Sequence, residues 1–153
     1  MKKFICLLIF FISFNINSQD TYLQCGKIID TERGKVLNKK TIIVSSDKIV
    51  AIKNGFVSSD NPLDKVIDLK SKTVMPGLID LHVHIESEFN PQKYMNAFTA
   101  NDADIAFGSL KFAEITLMAG FTTVRDLGGT GINISLRDAI AKGEVVGPRI
   151  FTA

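Results

Sequence analysis

The sequence predicts an α/β chain in two parts, a small β-rich segment followed by parallel βα units. Three observations carry this expectation. Up to residue 69 the apolar runs are short and separated by turn residues. Beyond Ser71 strand-like runs alternate with stretches of helical periodicity. The run that opens this second part, residues 74–85, reads Val-Met-Pro-Gly-Leu-Ile-Asp-Leu-His-Val-His-Ile and holds both histidines of the chain.

In the first part, residues 23–29 form a strand-like run that leads into a polar turn at 30–35, with Gly34 inside it. Residues 41–44 and 48–52 follow, separated by Ser45-Ser46-Asp47, and then Asn54-Gly55, a strong short hairpin signal. A last run at 66–69 comes after a loop containing Asn61-Pro62. The expectation is a small antiparallel β unit, too small to bury a large core by itself.

In the second part, Asp80, His82 and His84 alternate with Leu81, Val83 and Ile85, so a strand places the three ionisable groups on one face and the apolar ones on the other. Two imidazoles at i and i+2 can approach one cation together, and imidazole is a common ligand for zinc. The alternative is a half-exposed strand with solvated histidines. A polar loop at 86–101 follows, and then a helix capped by Asp102 or Asp104 and running to about Ala119. Its apolar face would be Ala106, Leu110, Ala113 and Leu117, with Gly120 as the stop. Residues 121–127 are the second strand. Ser135 with Asp138 resembles a capping box for a short helix through Ile140. Gly147-Pro148 then turns into a third strand from Arg149 to the end. A doubly wound sheet and a barrel both fit this order. Gly128-Gly129-Thr130-Gly131 lacks the spacing of a dinucleotide fingerprint, which argues against a nucleotide site.

Residues 1–18 have the pattern of a secretory signal peptide: Lys2 and Lys3, an apolar run from 4 to 12, then polar residues ending in Ser18, with a cut expected before Gln19. The apolar run is short of the roughly 20 residues a spanning helix needs, so the expected location is secreted or periplasmic with no stable membrane anchor. Lys2 and Lys3 account for the whole formal net charge of +2. Nothing else makes a basic stripe, and nucleic acid is not expected as a partner. With Cys6 in the leader, Cys25 is left without a partner for an internal disulfide, and it reads as a small hydrophobe in a strand.

The run Met75-Pro76-Gly77-Leu78-Ile79-Asp80-Leu81-His82-Val83-His84 resembles the first barrel strand of the metal-dependent amidohydrolase superfamily. Cys25-Gly26-Lys27-Ile28-Ile29-Asp30, residues 119–129 and Gly147-Pro148-Arg149-Ile150 are similar to its imidazolonepropionase-like and prolidase-like branch. The resemblance implies the N-terminal part of a (β/α)8 TIM barrel, its first two to three strands, preceded by a small β-sandwich segment. The domains would be 1–18 leader, 19–73 sandwich segment and 74–153 barrel start. It implies His82 and His84 as ligands of a divalent metal, zinc in the first instance, one or two ions per site. Asp80, Arg125 and Asp126 would stand behind the ligands, Asp80 orienting them and the other two lining the pocket, with a buried Arg125–Asp126 ion pair closing the barrel as the alternative.

The same resemblance places a carboxylated lysine or glutamate, two more histidines and a proton-shuttle aspartate beyond Ala153. Residues 74–153 supply 80 positions, against ~250 in a complete barrel. The chain is therefore expected to be an N-terminal fragment that is inactive alone. The parent enzyme would be a hydrolase of carbon–nitrogen bonds acting on a small molecule or dipeptide of Xaa-Pro type, with oligomerisation left open. The competing readings are a cyclic-amide hydrolase or deaminase of the same superfamily, and a non-catalytic secreted β module.

Overall fold

The structure, a computed structural model, describes residues 19–89, 91 and 93–152. The leader reading falls on residues 1–18, outside the described residues. The chain divides between Met75 and Pro76 into two compact units.

The first unit is a four-stranded sheet of β1 (Asp20–Asp30), β2 (Lys35–Ser45), β3 (Lys48–Asn54) and β4 (Lys65–Val74), in the order β3-β2-β1-β4. β2 pairs antiparallel with both β1 and β3, and β4 pairs parallel to β1. The expected all-antiparallel unit is thus a mixed sheet. The hairpin signal at Asn54-Gly55 does not join two paired strands either. The two hairpins turn at residues 31–34 and at Ser46-Asp47. Gly55, at φ +77°, instead starts a crossover that carries the chain past β2 and β1 to the far edge of the sheet.

Buried polar groups hold that crossover down. Thr41 donates its hydroxyl to the Gly55 carbonyl at 2.8 Å and accepts the Val57 N–H at 2.9 Å. The Gln24 amide donates to the Val57 carbonyl at 3.1 Å. Both side chains are removed from water with partners in place, which avoids the cost of burying an unpaired polar group. Cys25, Ile28 and Ile42 form the apolar core, with Leu23, Leu37, Val44, Leu69 and Val74 against them.

The second unit contains β5 (Leu78–Val83), α1 (Lys93–Thr99), α2 (Asp102–Met118), β6 (Phe121–Asp126), α3 (Ile132–Ala141) and β7 (Arg149–Thr152). The strands form a parallel sheet in the order β5-β6-β7. This is the strand–helix alternation expected of a barrel start. Within the run 74–85, Val74 ends β4 and the chain breaks at Met75-Pro76-Gly77 before β5 begins. Proline lacks a ladder donor, and Gly77 lies where a side chain would overlap Thr122.

Several local expectations change. The 86–101 segment contains α1. α2 is capped by Asn101, whose side chain accepts the N–H groups of Ala103 and Asp104, while Asp104 reaches back to the Asn101 N–H. That is a reciprocal box shifted one residue before the expected cap. On α2 the fully buried positions are Ser109 and Ala113, whereas Leu110 is exposed. α3 starts at Ile132 after Gly131, which has φ +103° and offers no side-chain cap. Ser135 is inside that helix, and Asp138 pairs with Arg137 at 2.8 Å. The core is Ile85, Ala113, Val124, Leu136 and Ile150. Leu81, expected on the packed face, is 65% exposed, because β5 packs chiefly against β6 and, among the described residues, no helix lies closely over it.

Candidate metal centre past the ends of the parallel strands

β5 delivers Asp80 and His82, and His84 follows directly after its last residue, Val83. β6 ends at Asp126, and the 127–131 loop leaves the same end of the sheet. Parallel strands bring their C-terminal ends together, so residues 44 apart in sequence meet there.

The His82 and His84 rings lie 5.4 Å apart between centroids and meet edge to face at 64°. Both are exposed. Nδ1 of His84 is 3.1 Å from the Gly128 carbonyl oxygen. A carbonyl oxygen only accepts, so this bond requires the proton on Nδ1 and leaves the lone pair on Nε2. Metal-bound histidines are held in this way, the far ring nitrogen donating to a carbonyl or carboxylate. The donor set therefore fits part of a divalent metal site. Among the described residues no three His, Cys, Asp or Glu side chains gather into a complete one, and two imidazoles fall short of the three or four protein ligands zinc takes.

The three residues expected behind the ligands separate. Asp80 accepts the His82 backbone N–H at 2.9 Å, which steadies the strand where the β5–β6 register shifts. Asp126 is fully buried and braces both loops, accepting the Ile85 N–H at 3.2 Å and the Gly128 N–H at 3.1 Å. Arg125 is exposed and points away from Asp126, as neighbours in a strand do. Among the described residues the two form no ion pair, which corrects that alternative.

Glu86 escaped the sequence reading. Its Oε2 accepts the Thr130 N–H and its Oε1 the Asn133 N–H, both at 2.7 Å. Nothing local in the sequence points to it, since its partners lie 44 and 47 residues further on.

The amidohydrolase family model matches residues 73–153. The chain belongs to the amidohydrolase family. This superfamily is metal-dependent, in keeping with the histidine pair. Among solved structures this amidohydrolase chain is similar to a Xaa-Pro dipeptidase with methionine bound in its active site, at 38% identity and a TM-score of 0.80, over 88% of this chain and 33% of that one. It is similar also to a prolidase complexed with N-methylphosphonate-L-proline, at 39% identity and a TM-score of 0.74, over 88% of this chain and 31% of the other. A 5-methylthioadenosine/S-adenosylhomocysteine deaminase of Bacillus cereus is 38% identical over 65 residues, 42% of this chain and 15% of the deaminase. The chain thus spans about a third of the length of the solved relatives and less of the deaminase.

Proposed function

We propose that the full-length protein is an exported, metal-dependent amidohydrolase that cleaves the amide C–N bond of small peptides, Xaa-Pro dipeptides first. The observation that carries this reading is the His84 ring, tied at Nδ1 to Gly128 with Nε2 free beside His82. The likeness to a Xaa-Pro dipeptidase over 88% of the chain supports the peptide substrate. The pattern of residues 1–18 supports export.

A divalent metal, zinc by its affinity for imidazole nitrogen, would be held in part by His82 and His84. When bound, such a metal lowers the pKa of coordinated water and polarises the scissile carbonyl. The residues of this chain do the positioning. His84 presents Nε2 and donates its Nδ1–H to the Gly128 carbonyl. Asp80 fixes the backbone of His82, and Asp126 fixes the residues that follow His84 and carry its anchor. The proton-shuttle aspartate and the remaining ligands that the resemblance implies would come from later strands of a complete barrel.

The second reading is a deaminase, favoured by the 38% identity to the B. cereus enzyme. The two readings separate on substrate. Full-length protein purified with its metal should hydrolyse Xaa-Pro dipeptides, lose that activity to a chelator, and leave 5-methylthioadenosine untouched. Deamination without peptidase activity would reverse the assignment. Unchanged activity and metal content in His82→Ala and His84→Ala variants would remove the metal centre.

A further inference from the structure

The loops after β5 and β6 are tied by a carboxylate that the metal centre itself does not use. The His84 ring is exposed and takes its orientation from the Gly128 carbonyl. Gly128 is followed by Gly129, and two successive glycines are too free in φ and ψ to hold a carbonyl in one direction by themselves. The loop is fixed from both sides instead. On the near side Asp126 holds the Gly128 N–H. On the far side the two oxygens of Glu86 hold the Thr130 and Asn133 N–H groups. The carboxylate lies against Gly129, where an added Cβ would come within 2.6 Å of Oε1 and 2.8 Å of the Asn133 Cγ.

We propose that Glu86 is a positioning residue for the metal ligand His84, acting through the backbone of residues 128–130; this rests on reading His84 as a ligand. The chain of contacts runs from the Glu86 carboxylate to the Thr130 and Asn133 N–H groups, through the loop backbone to the Gly128 carbonyl, and so to His84 Nδ1. Glu86 is two residues beyond His84 in sequence, so one short segment supplies both the ligand and the clamp on its anchor. The carboxylate also satisfies the Asn133 N–H in the first turn of α3 and suits the positive end of its dipole. A helix cap alone would stabilise α3 without acting on His84, and the two roles predict different measurements.

The test uses full-length protein, stripped and titrated with zinc, in wild type, Glu86→Gln, Gly129→Ala, His84→Ala and Asn101→Ala. Glutamine keeps one acceptor oxygen and turns an NH2 group toward the other N–H, so Glu86→Gln breaks half the clamp. Gly129→Ala crowds the carboxylate, together with the buried Asn133 side chain, without changing the charge of Glu86. Asn101→Ala weakens the cap of α2 and shows what lost stability alone does to zinc binding. Both loop variants should weaken zinc binding about tenfold, within the 10–100-fold range for partners that orient ligands. The ¹⁵N spectrum of metal-free His84 should show a mixture of tautomers in both, and Asn101→Ala should bind zinc as wild type does. If His84→Ala binds zinc with wild-type affinity, the ligand reading fails whatever Glu86 does. If His84→Ala loses zinc while Glu86→Gln and Gly129→Ala keep wild-type affinity and a single tautomer, Glu86 is a helix cap only and the proposal is overturned. Where one loop variant does not fold, the other decides.

Discussion

The Gly128 carbonyl oxygen lies 3.1 Å from Nδ1 of His84, across 44 residues of sequence, and this contact sets which imidazole nitrogen faces outward. In the metal-free full-length protein the ¹⁵N shifts of His84 should report a protonated Nδ1 and a bare Nε2. Added zinc should move the Nε2 resonance and leave the Nδ1 proton in place. A proton found on Nε2 before zinc is added would contradict the geometry.

Asp126 accepts two backbone N–H groups from full burial. An amide in its place offers one acceptor oxygen and sets an NH2 group against the other N–H. Leaving a buried donor unpaired costs about 1–3 kcal/mol, and Asp126→Asn should lower the urea midpoint accordingly. Because the affected groups are Ile85, next to His84, and Gly128, its anchor, zinc affinity should fall together with stability. An Asp126→Asn protein equal to wild type in both measurements would show that the two bonds contribute nothing.

Much of this unit was legible in the sequence, and the limits have a common cause. Alternation along residues 78–85 exposed the two faces of β5, and the change of period after Ser71 exposed the βα units, because both are local patterns. The parallel pairing of β4 on β1 was not legible. Thr41 and Gln24 reach the crossover from 14 to 34 positions away, and that distance defeats a hairpin rule based on Asn54-Gly55. The cap of α3 was misplaced for the same reason. Ser135 and Asp138 have the spacing of a box, but the carboxylate at the helix start arrives from Glu86, 47 residues before Asn133. Asn101 differs, since its box with Asp104 is local; there the choice among neighbouring cap formers went one residue astray.

Two glycines without positive φ should respond differently to substitution by alanine. At Gly77 an added Cβ overlaps the Thr122 side chain, whose Cβ would lie at 2.6 Å. At Gly26, where the β1–β4 register shifts, it overlaps the Lys70 backbone, with the carbonyl carbon at 2.9 Å. Overpacking of this kind costs typically about 1–3 kcal/mol, the range expected for Gly77→Ala. Adding Thr122→Gly should recover part of that loss, since it clears every overlapping atom. Gly26→Ala should cost at least as much, and truncating Lys70 should recover nothing because the obstacle is main chain. Denaturant unfolding of the single and double variants measures both. Equal recovery at the two sites would contradict the assignment of the obstacles.

Cys25 is fully buried in the first sheet, with its Sγ 3.3 Å from the Leu23 carbonyl. Burial pushes its thiol pKa up, opposed in part by a backbone hydrogen bond at Ile42. The raised pKa lowers the amount of thiolate, the form that attacks disulfide reagents, and burial keeps the reagent from reaching the sulfur. Reaction then requires the sheet to open, and an opening free energy of about 5 kcal/mol would slow it by at least about a thousandfold relative to the unfolded chain. The sign of the pH effect follows from the same shift. The folded state keeps the proton that the unfolded chain gives up near pH about 8.5, so this contribution to stability is complete below that pH and is lost as pH rises through the unfolded pKa toward the folded one. Ellman's reagent should therefore leave Cys25 unmodified in native full-length protein at pH about 7.5 to 8, below the unfolded pKa, and modify it quickly in denaturant. Peptide mapping identifies the site, and rapid native modification of Cys25 would show that this core is open to solvent.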